Sequence, residues 1–303
     1  MKNNVQKSYH ILINKHSGGA LQLGLEQLED TISASDIDVA SLQILGAEQF
    51  FEELEALKND ETPILIGGGD GTIRSCAKSM IETGRGFGIL PLGTMNLMAR
   101  DLNIPLSIED ALSAYAHSTR ELEIDVGFVN HELFLCCVGI GTMPESSEFR
   151  EENREQNPTL LMPRLTVFVL DQMDQMRHRV MRLNMDGKEK TLKTAALVIS
   201  NNQYQPQEEW SENNFVRPSL ETGKLGIYAA TPFSMWDRVR LIARLKFGNW
   251  RDDPIVDEWY AENVSLTSKR DEELISLDGE TQTFKTPLNF WVERKALKLL
   301  APA

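Results

Sequence analysis

Residues 63–72 read Pro-Ile-Leu-Ile-Gly-Gly-Gly-Asp-Gly-Thr, and this stretch decides the fold. The apolar run at 63–66 predicts a short buried strand, and the spacing of apolar residues from Ile73 to Ile81 predicts a helix. The glycines between strand and helix have no Cβ, so backbone N–H groups can approach a ligand closely. Because a helix N-terminus also carries partial positive charge, this strand–turn–helix unit is typical of a phosphate-binding site.

Asp70 stands within this turn, where its charge would repel a phosphate. Three roles would explain it: binding Mg²⁺, accepting a proton from an attacking hydroxyl, or capping the helix as its N-cap residue. The turn alone does not separate these roles, because glycine-rich turns occur in many unrelated proteins.

A second strand and turn follow directly along the chain. Residues 86–90 predict a buried strand, and residues 91–100 read Pro-Leu-Gly-Thr-Met-Asn-Leu-Met-Ala-Arg. With both stretches, the sequence resembles the diacylglycerol kinase catalytic-domain family, which includes bacterial lipid kinases, sphingosine kinases and ceramide kinases. That family pairs Gly-Gly-Asp-Gly-Thr with a downstream Pro-Leu-Gly-Thr, an Asn and Ala-Arg, in the order seen here. NAD kinases and phosphofructokinases share the first motif, and the second narrows the resemblance to lipid kinases.

The arrangement of predicted elements changes near residue 120. Strands alternate with helices before it, which predicts an N-terminal doubly wound parallel α/β domain with its ligand at the carboxyl ends of the strands. Alternating strands and hairpin turns such as Asp186-Gly187 follow, and they predict a mostly antiparallel C-terminal domain. The resemblance implies the same fold, α/β of the NAD kinase/diacylglycerol kinase type followed by an antiparallel β-sandwich.

These patterns assign residues 1–120 to a nucleotide-binding domain and residues 121–289 to a β-rich lipid or substrate domain. The resemblance implies that residues 290–303 return to the first domain. Within the two domains, residues 21–33 predict one helix with Leu21, Leu25, Leu28 and Ile32 on its buried face. Residues 147–158 predict a polar loop, and residues 160–176 predict another helix.

Composition excludes several classes of protein. The chain has 303 residues and a net charge of −14, which argues against a nucleic-acid partner and against broad attraction to anionic membranes. No apolar run approaches the roughly 20 residues of a membrane span, and the N-terminus lacks a signal-peptide core. Three cysteines give no disulfide framework. We expect a cytoplasmic protein; the resemblance leaves open a peripheral place at the inner face of the membrane, and a homodimer is also open.

The resemblance assigns the nucleotide to three loops, two of them the motifs above and the third the turn after the first predicted strand. The residues expected to contact ATP are Asn14, Ser17, Gly18, Gly67, Gly68, Gly69, Gly71, Thr72, Thr94 and Asn96. The family also carries Asp-Gly-Glu near its C-terminus, where it contributes to Mg²⁺-nucleotide binding and proton abstraction. Here these residues are Asp278 and Glu280, and with Asp70 they form the expected catalytic and Mg²⁺-binding set. Either Glu280 or Asp278 is expected to be the base, with Asp70 near the metal.

The sequence departs from the family at several positions. Arg74 and Leu97 stand where many members have acidic residues. Bacterial members also hold a structural Mg²⁺ in an acidic segment that corresponds to residues 220–227 here. Thr222 and Gly226 replace its acids, so we predict that this metal site is weak or absent.

The leading hypothesis is an ATP-dependent lipid kinase acting on a diacylglycerol-like or sphingoid lipid. An NAD kinase-like enzyme with a soluble acceptor and a non-catalytic nucleotide-binding regulator are the alternatives. Residues 234–251 add a separate feature, because apolar residues such as Trp236 are mixed with arginines. Such a segment is either a core-packed helix with solvated arginines or a helix that contacts a membrane surface.

Overall fold

The computed structural model describes residues 8–141, 144, 179–205, 215–231, 234–247 and 249–303. The loop predicted at 147–158 and the helix predicted at 160–176 lie outside these residues. The chain divides into two compact units. Unit 1 consists of Met1–Ile124 and Lys295–Ala303, and unit 2 consists of Asp125–Arg294.

Unit 1 is a parallel α/β fold whose strands have the order β2-β1-β3-β4-β16, as the sequence predicts. Strand β16 (Leu288–Pro302) adds its C-terminal part beside β4, where Leu299 pairs with Phe87. The other elements are β1 (Ser8–Asn14), α1 (Gly18–Leu23), α2 (Leu25–Ser33), β2 (Asp38–Leu45), α3 (Ala47–Ala56), β3 (Ile64–Gly68), α4 (Asp70–Thr83), β4 (Phe87–Pro91), α5 (Leu97–Asp101) and α6 (Ile108–His117).

The central strands of unit 1 are covered on both faces. Every residue of β3 and β4 is buried, as expected for uninterrupted apolar strands in a parallel sheet. Helix α4 buries Ile73, Cys76, Ala77 and Met80, which confirms the predicted spacing. In α6, the Tyr115 hydroxyl accepts the Ile89 N–H at 2.9 Å and donates to the Leu300 carbonyl at 3.1 Å. This buried side chain therefore ties α6 to β4 and β16.

The single helix predicted over residues 21–33 is wrong. Two helices, α1 and α2, meet at Gly24, whose φ of 84° lies in the left-handed region that favours glycine. The break ends the helical periodicity at this point, so only the second half of the predicted stripe is buried. Leu28 and Ile32 lie in the core, whereas Leu21 and Leu25 are 61% and 43% exposed.

Unit 2 contains two antiparallel sheets, with the orders β12-β11-β10-β7-β14-β15 and β16-β13-β8-β9. The elements are β5 (Thr119–Val129), which begins in unit 1, and β6 (Glu132–Phe134), β7 (Cys137–Gly141), β8 (Val180–Met185), β9 (Lys188–Lys193), β10 (Ala196–Asn201), β11 (Leu225–Ala230), α7 (Met235–Phe247), β12 (Val256–Ala261), β13 (Asn263–Ser268), β14 (Glu272–Leu277) and β15 (Glu280–Lys285).

One apolar core is shared by both sheets, with buried members that include Ile140 of β7, Leu183 of β8 and Leu266 of β13. This is the predicted β-sandwich. Asp186 and Gly187, both with positive φ, form the predicted hairpin turn between β8 and β9. None of the helices that the structure describes combines the length and the apolar character needed to cross a membrane.

Side chains of unit 2 fix the loop that precedes β11. The Thr222 N–H and hydroxyl both donate to Asn202 Oδ1, at 2.8 and 2.5 Å, and the Gly223 N–H donates to Asp125 Oδ2 at 2.6 Å. Asp125 and Asn202 are completely buried. The Arg294 guanidinium lies where a Cβ on Gly223 would stand. Hydrogen bonds to protein groups thus hold the segment in which the resemblance implies a structural metal.

We expect a chelator to leave the thermal unfolding midpoint of the protein unchanged, because these hydrogen bonds hold the loop without an ion. Asn202→Ala should lower the free energy of unfolding by about 1–3 kcal/mol, since the Thr222 N–H loses its buried acceptor. Thermal denaturation with and without EDTA tests both expectations, with Asn263→Ala, at an exposed position, as the control. A midpoint that falls in EDTA and recovers with added Mg²⁺ would contradict the first expectation.

Candidate active site

The glycine-rich turn leaves the N-terminus of α4 uncovered by its own cap residue. Gly69 is the N-cap, in extended conformation with φ −87° and ψ 176°, and within the described residues no side chain caps this end. The first N–H groups of an α-helix lack partners inside the helix, so they can bind an anion here. Asp70 is the first helical residue, so the alternative that Asp70 itself is the N-cap is wrong.

The two motifs pack against each other through glycine backbone. A Cβ on Gly93 would stand 2.6 Å from the Gly69 Cα, and a Cβ on Gly68 would stand 2.6 Å from the Thr72 Cβ. Distances this short require glycine at positions 68 and 93. The turn after β3 and the turn after β4 therefore form one continuous surface at the carboxyl edge of the sheet.

Asp70 links these two turns directly. Its Oδ1 accepts the Leu97 N–H at 2.9 Å, at the first residue of α5, and the side chain is half-buried. A carboxylate is stabilised in this position because the N-terminal ends of both helices carry partial positive charge. The acidic residue in the first motif thus contacts the second motif.

Thr94 and Asn96 lie together in the turn after β4. Asn96 has a φ of 51°, and its side chain closes the turn: the Gly93 N–H donates to Oδ1 at 2.7 Å, and Nδ2 donates to the Gly93 carbonyl at 2.8 Å. Thr94 is exposed between them. The Asn96 amide therefore shapes the turn.

The turn after β1 completes this edge of unit 1. Asn14 Nδ2 donates to Thr72 Oγ1 at 3.1 Å, and the Gly19 N–H donates to the Leu92 carbonyl at 2.7 Å. Ser17 is only 5% exposed, and in the part of the chain that the structure describes its hydroxyl has no hydrogen-bond partner. The structure thus brings the three predicted loops together, with Gly18 opening α1 beside Ser17. A buried hydroxyl without a partner, next to a glycine-lined helix N-terminus, fits a phosphate-bearing ligand.

Asp278 and Glu280 lie in unit 2, in the two-residue turn between β14 and β15. Asp278 and Gly279 have φ values of 49° and 95°, and Leu277 pairs with Glu280 across the turn. The Asp278 carboxylate is buried and accepts three backbone N–H groups, from Leu135 at 2.7 Å, Cys136 at 2.8 Å and Cys137 at 2.9 Å. Glu280 is exposed. The two acids of this motif therefore have different environments.

The three predicted metal ligands are divided between the units, with Asp70 in unit 1 and the other two acids in unit 2. Among the described residues, no group of three or more His, Cys, Asp or Glu side chains could hold a metal ion. The Mg²⁺ set of Asp70, Asp278 and Glu280 remains a prediction.

Sequence reasoning missed the contacts that shape these turns. The close approach of Gly69 to Gly93 could have been predicted from the sequence, because each motif contains a glycine at the end of a strand. Arg217 donates to the carbonyls of Leu135 and Asn201. No sequence pattern pointed to these contacts, because Arg217 stands in no motif.

Comparison with known proteins gives a consistent result. Residues 8–129 match the model of the diacylglycerol kinase catalytic domain. An uncharacterized protein of Synechocystis sp. is 23% identical over 98% of this chain and 70% of its own length. A probable lipid kinase YegS-like protein of Pseudomonas aeruginosa is 44% identical over 27% of this chain. The alignment with this lipid-kinase relative also spans only 27% of the relative's length.

Solved structures share the fold at low sequence identity. A putative diacylglycerol kinase from Bacillus anthracis superposes with a TM-score of 0.71 at 20% identity, covering 98% of this chain and 97% of its own. A second diacylglycerol kinase structure from the same organism gives 0.67 at 16% identity, with the same coverage. The motifs, the fold and the family-model match over residues 8–129 agree in their similarity to the diacylglycerol kinase catalytic domain.

Proposed function

We propose that this protein is an ATP-dependent lipid kinase that transfers the γ-phosphoryl group of ATP to a hydroxyl of a diacylglycerol-like or sphingoid lipid. The observation that carries the proposal is the joined edge of unit 1, where the Gly69–Gly93 contact and the Asn14–Thr72 hydrogen bond unite three loops around the N-terminus of α4. The printed name of the Pseudomonas relative supports a lipid acceptor. Residues 1–120 would serve the nucleotide and residues 121–289 the lipid.

Phosphoryl transfer depends on positioning and charge neutralisation more than on covalent chemistry by the protein. In the proposed mechanism, N–H groups of the first turn of α4 bind the phosphates, and the unpartnered Ser17 hydroxyl adds a donor. Bound Mg²⁺ would neutralise phosphate charge, and Asp70 has the ligand chemistry to hold it in unit 1. The hydrogen bond that the Asp70 carboxylate accepts from the Leu97 N–H would hold this carboxylate in one position.

Glu280 is the proposed general base. Asp278 uses its carboxylate oxygens to accept three backbone N–H groups, so they are less available to take a proton from a lipid hydroxyl. Glu280 is exposed at the first residue of β15, two residues beyond that fixed acid. We therefore assign proton abstraction to Glu280 and positioning of the turn to Asp278.

A membrane contact through α7 forms part of the proposal, but the arginines are poor candidates to carry it. Arg238 is 4% exposed. Arg240 and Arg244 both pair with the buried Asp253, at 2.8 and 3.4 Å. The exposed residues at the start of α7 are apolar instead: Met235 is 57%, Trp236 79% and Val239 42% exposed. A surface of this kind would enter the interface of a bilayer through its side chains.

The first prediction of this proposal concerns Glu280. We expect the purified protein, with ATP and Mg²⁺, to transfer labelled phosphate into a lipid in mixed micelles. Glu280→Gln should lower kcat by about 10²–10⁴-fold while ATP binding persists, because the general base is lost. Glu272→Gln, on the same hairpin and also exposed, is the matched control.

A panel of acceptors separates the alternatives in this assay. Label recovered in NADP from NAD would move the protein to the NAD kinase branch. ATP binding without label in any acceptor would favour a non-catalytic regulator.

The second prediction separates the charge of Asp70 from its hydrogen bond. Asp70→Asn keeps an oxygen that can accept the Leu97 N–H, whereas Asp70→Ala removes it, at a cost of about 1 kcal/mol in the free energy of unfolding. Both variants should lose phosphoryl transfer, because both remove the carboxylate. Thermal denaturation and the transfer assay report the two effects separately. An Asp70→Asn protein with the wild-type rate would remove Asp70 from the chemistry.

The third prediction concerns α7. Trp236→Ala should weaken binding to phospholipid vesicles by about tenfold, since burying a large apolar side chain contributes roughly 1.5–3 kcal/mol. Leu21→Ala, at an exposed residue of unit 1, should have no effect. Vesicle sedimentation measures both. Binding that survives Trp236→Ala but is lost in an Arg240→Gln, Arg244→Gln double variant would show that the arginines carry the contact.

A further inference from the structure

Residues 135–137, the link from β6 to β7 together with the first residue of β7, have all six of their backbone polar groups hydrogen-bonded. The three N–H groups donate to the Asp278 carboxylate, and the Cys137 carbonyl accepts the Asp278 N–H at 3.0 Å. The Cys136 carbonyl accepts the Asn201 N–H at 2.9 Å. The Leu135 carbonyl accepts Arg217 Nη1 at 2.5 Å. Every backbone polar group of the segment thus has a hydrogen-bond partner, which restricts where the segment can lie.

Two buried side chains of opposite charge, Asp278 and Arg217, form hydrogen bonds with the backbone of this segment. Asp278 accepts all three N–H groups, and Arg217 donates to the Leu135 carbonyl, which also accepts Asn201 Nδ2 at 3.3 Å. Arg217 is 3% exposed, and Nη1 also donates to the Asn201 carbonyl at 2.7 Å, while Nη2 lies 3.7 Å from Cys136 Sγ. Hydrogen bonds that involve an ionised group are stronger than neutral ones, most of all away from water. Arg217 therefore contributes a charged hydrogen bond that helps to fix where Leu135 and the residues after it lie.

The position of the segment decides the position of the turn that carries Glu280. Asp278 is the first residue of that two-residue turn, and four hydrogen bonds join it to residues 135–137. Gly279 follows with a φ of 95°, and Glu280 is next. A shift of residues 135–137 would therefore move Asp278 and, through the short rigid turn, Glu280.

We propose that Arg217 is a positioning residue for Glu280, acting through segment 135–137 and Asp278; this inference rests on the proposed function of Glu280 as the base. We expect Arg217 to act on the chemical step, because it lies in unit 2 and its contacts named above, with backbone carbonyls and a thiol, are in unit 2. The nucleotide-binding loops of unit 1 contain none of its partners named above. Its loss should lower kcat and leave the KM for ATP unchanged.

The test compares Arg217→Met, which keeps the aliphatic stem without donors, with Arg217→Lys, which keeps the charge. Arg182→Met, at an exposed arginine of the same unit, is the control. Kinetics of lipid phosphorylation give kcat and KM, and hydrogen exchange followed by mass spectrometry reports on peptides covering residues 133–138 and 277–282.

We expect Arg217→Met to lose about 10²-fold in kcat, the scale of a misplacement of about 1 Å, with partial rescue in Arg217→Lys. Exchange should rise in those two peptides and stay unchanged elsewhere in unit 2.

Three results would overturn the proposal. The first is a wild-type kcat in Arg217→Met despite faster exchange in both peptides. The second is faster exchange throughout unit 2, which would reveal a general structural role. The third is unchanged exchange at 277–282, which would break the link to Glu280. If Arg217→Met does not fold, the kcat and local exchange of Arg217→Lys decide in the same way.

Wild-type protein without transfer to any acceptor would overturn the proposed function itself, a result visible before any variant is made.

Discussion

The approach of Gly93 to Gly69 is the constraint on which the carboxyl edge of the parallel sheet in unit 1 depends. Two adjacent parallel strands end side by side, and their following turns touch without any side chain between them. Only this closeness lets Asp70, at the start of α4, reach the Leu97 N–H at the start of α5. A Cβ at position 93 would stand 2.6 Å from the Gly69 Cα, so the two turns would have to move apart. Two sequence motifs 20 or so residues apart thus act as one structural element because of a backbone contact.

In unit 2, charged side chains rather than glycines hold an irregular stretch of backbone in place. Leu135 and Cys136 lie between β6 and β7 and are buried, so their backbone N–H and carbonyl groups need partners. Asp278 and Arg217 supply several of them, and the carboxylate gains three N–H donors in return. Burying a charge is costly unless it is fully hydrogen-bonded, and this arrangement meets that condition for Asp278. The irregular segment and the charged side chains stabilise each other.

The features that sequence reasoning predicted are local along the chain. Apolar runs, glycine turns and helical spacing predicted the parallel sheet, α4 and the hairpin at Asp186-Gly187, since neighbouring residues determine each of them. The break at Gly24 was missed because one glycine can be tolerated inside a helix. The partners of Asp278 were missed for a different reason. Leu135 lies 143 residues away, and an Asp-Gly-Glu motif does not indicate whether its acids face solvent or backbone. The pairing of Arg240 and Arg244 with Asp253 was missed likewise, because basic residues on a helix do not reveal an acid brought beside them by folding.

The departures from the family pattern can be interpreted through the contacts that the residues at those positions make in the structure. Leu97 stands where many members carry an acid, which on sequence grounds favours a non-catalytic regulator. In the structure, the contact between residue 97 and Asp70 uses the backbone N–H of Leu97, which any residue except proline supplies. Thr222 likewise keeps its loop in place through its N–H and hydroxyl. At both positions a backbone N–H makes a contact that does not depend on an acidic side chain. These two positions therefore weigh little against the proposed transfer reaction, and the acids that the sequence keeps, Asp70, Asp278 and Glu280, are the residues on which the proposal depends.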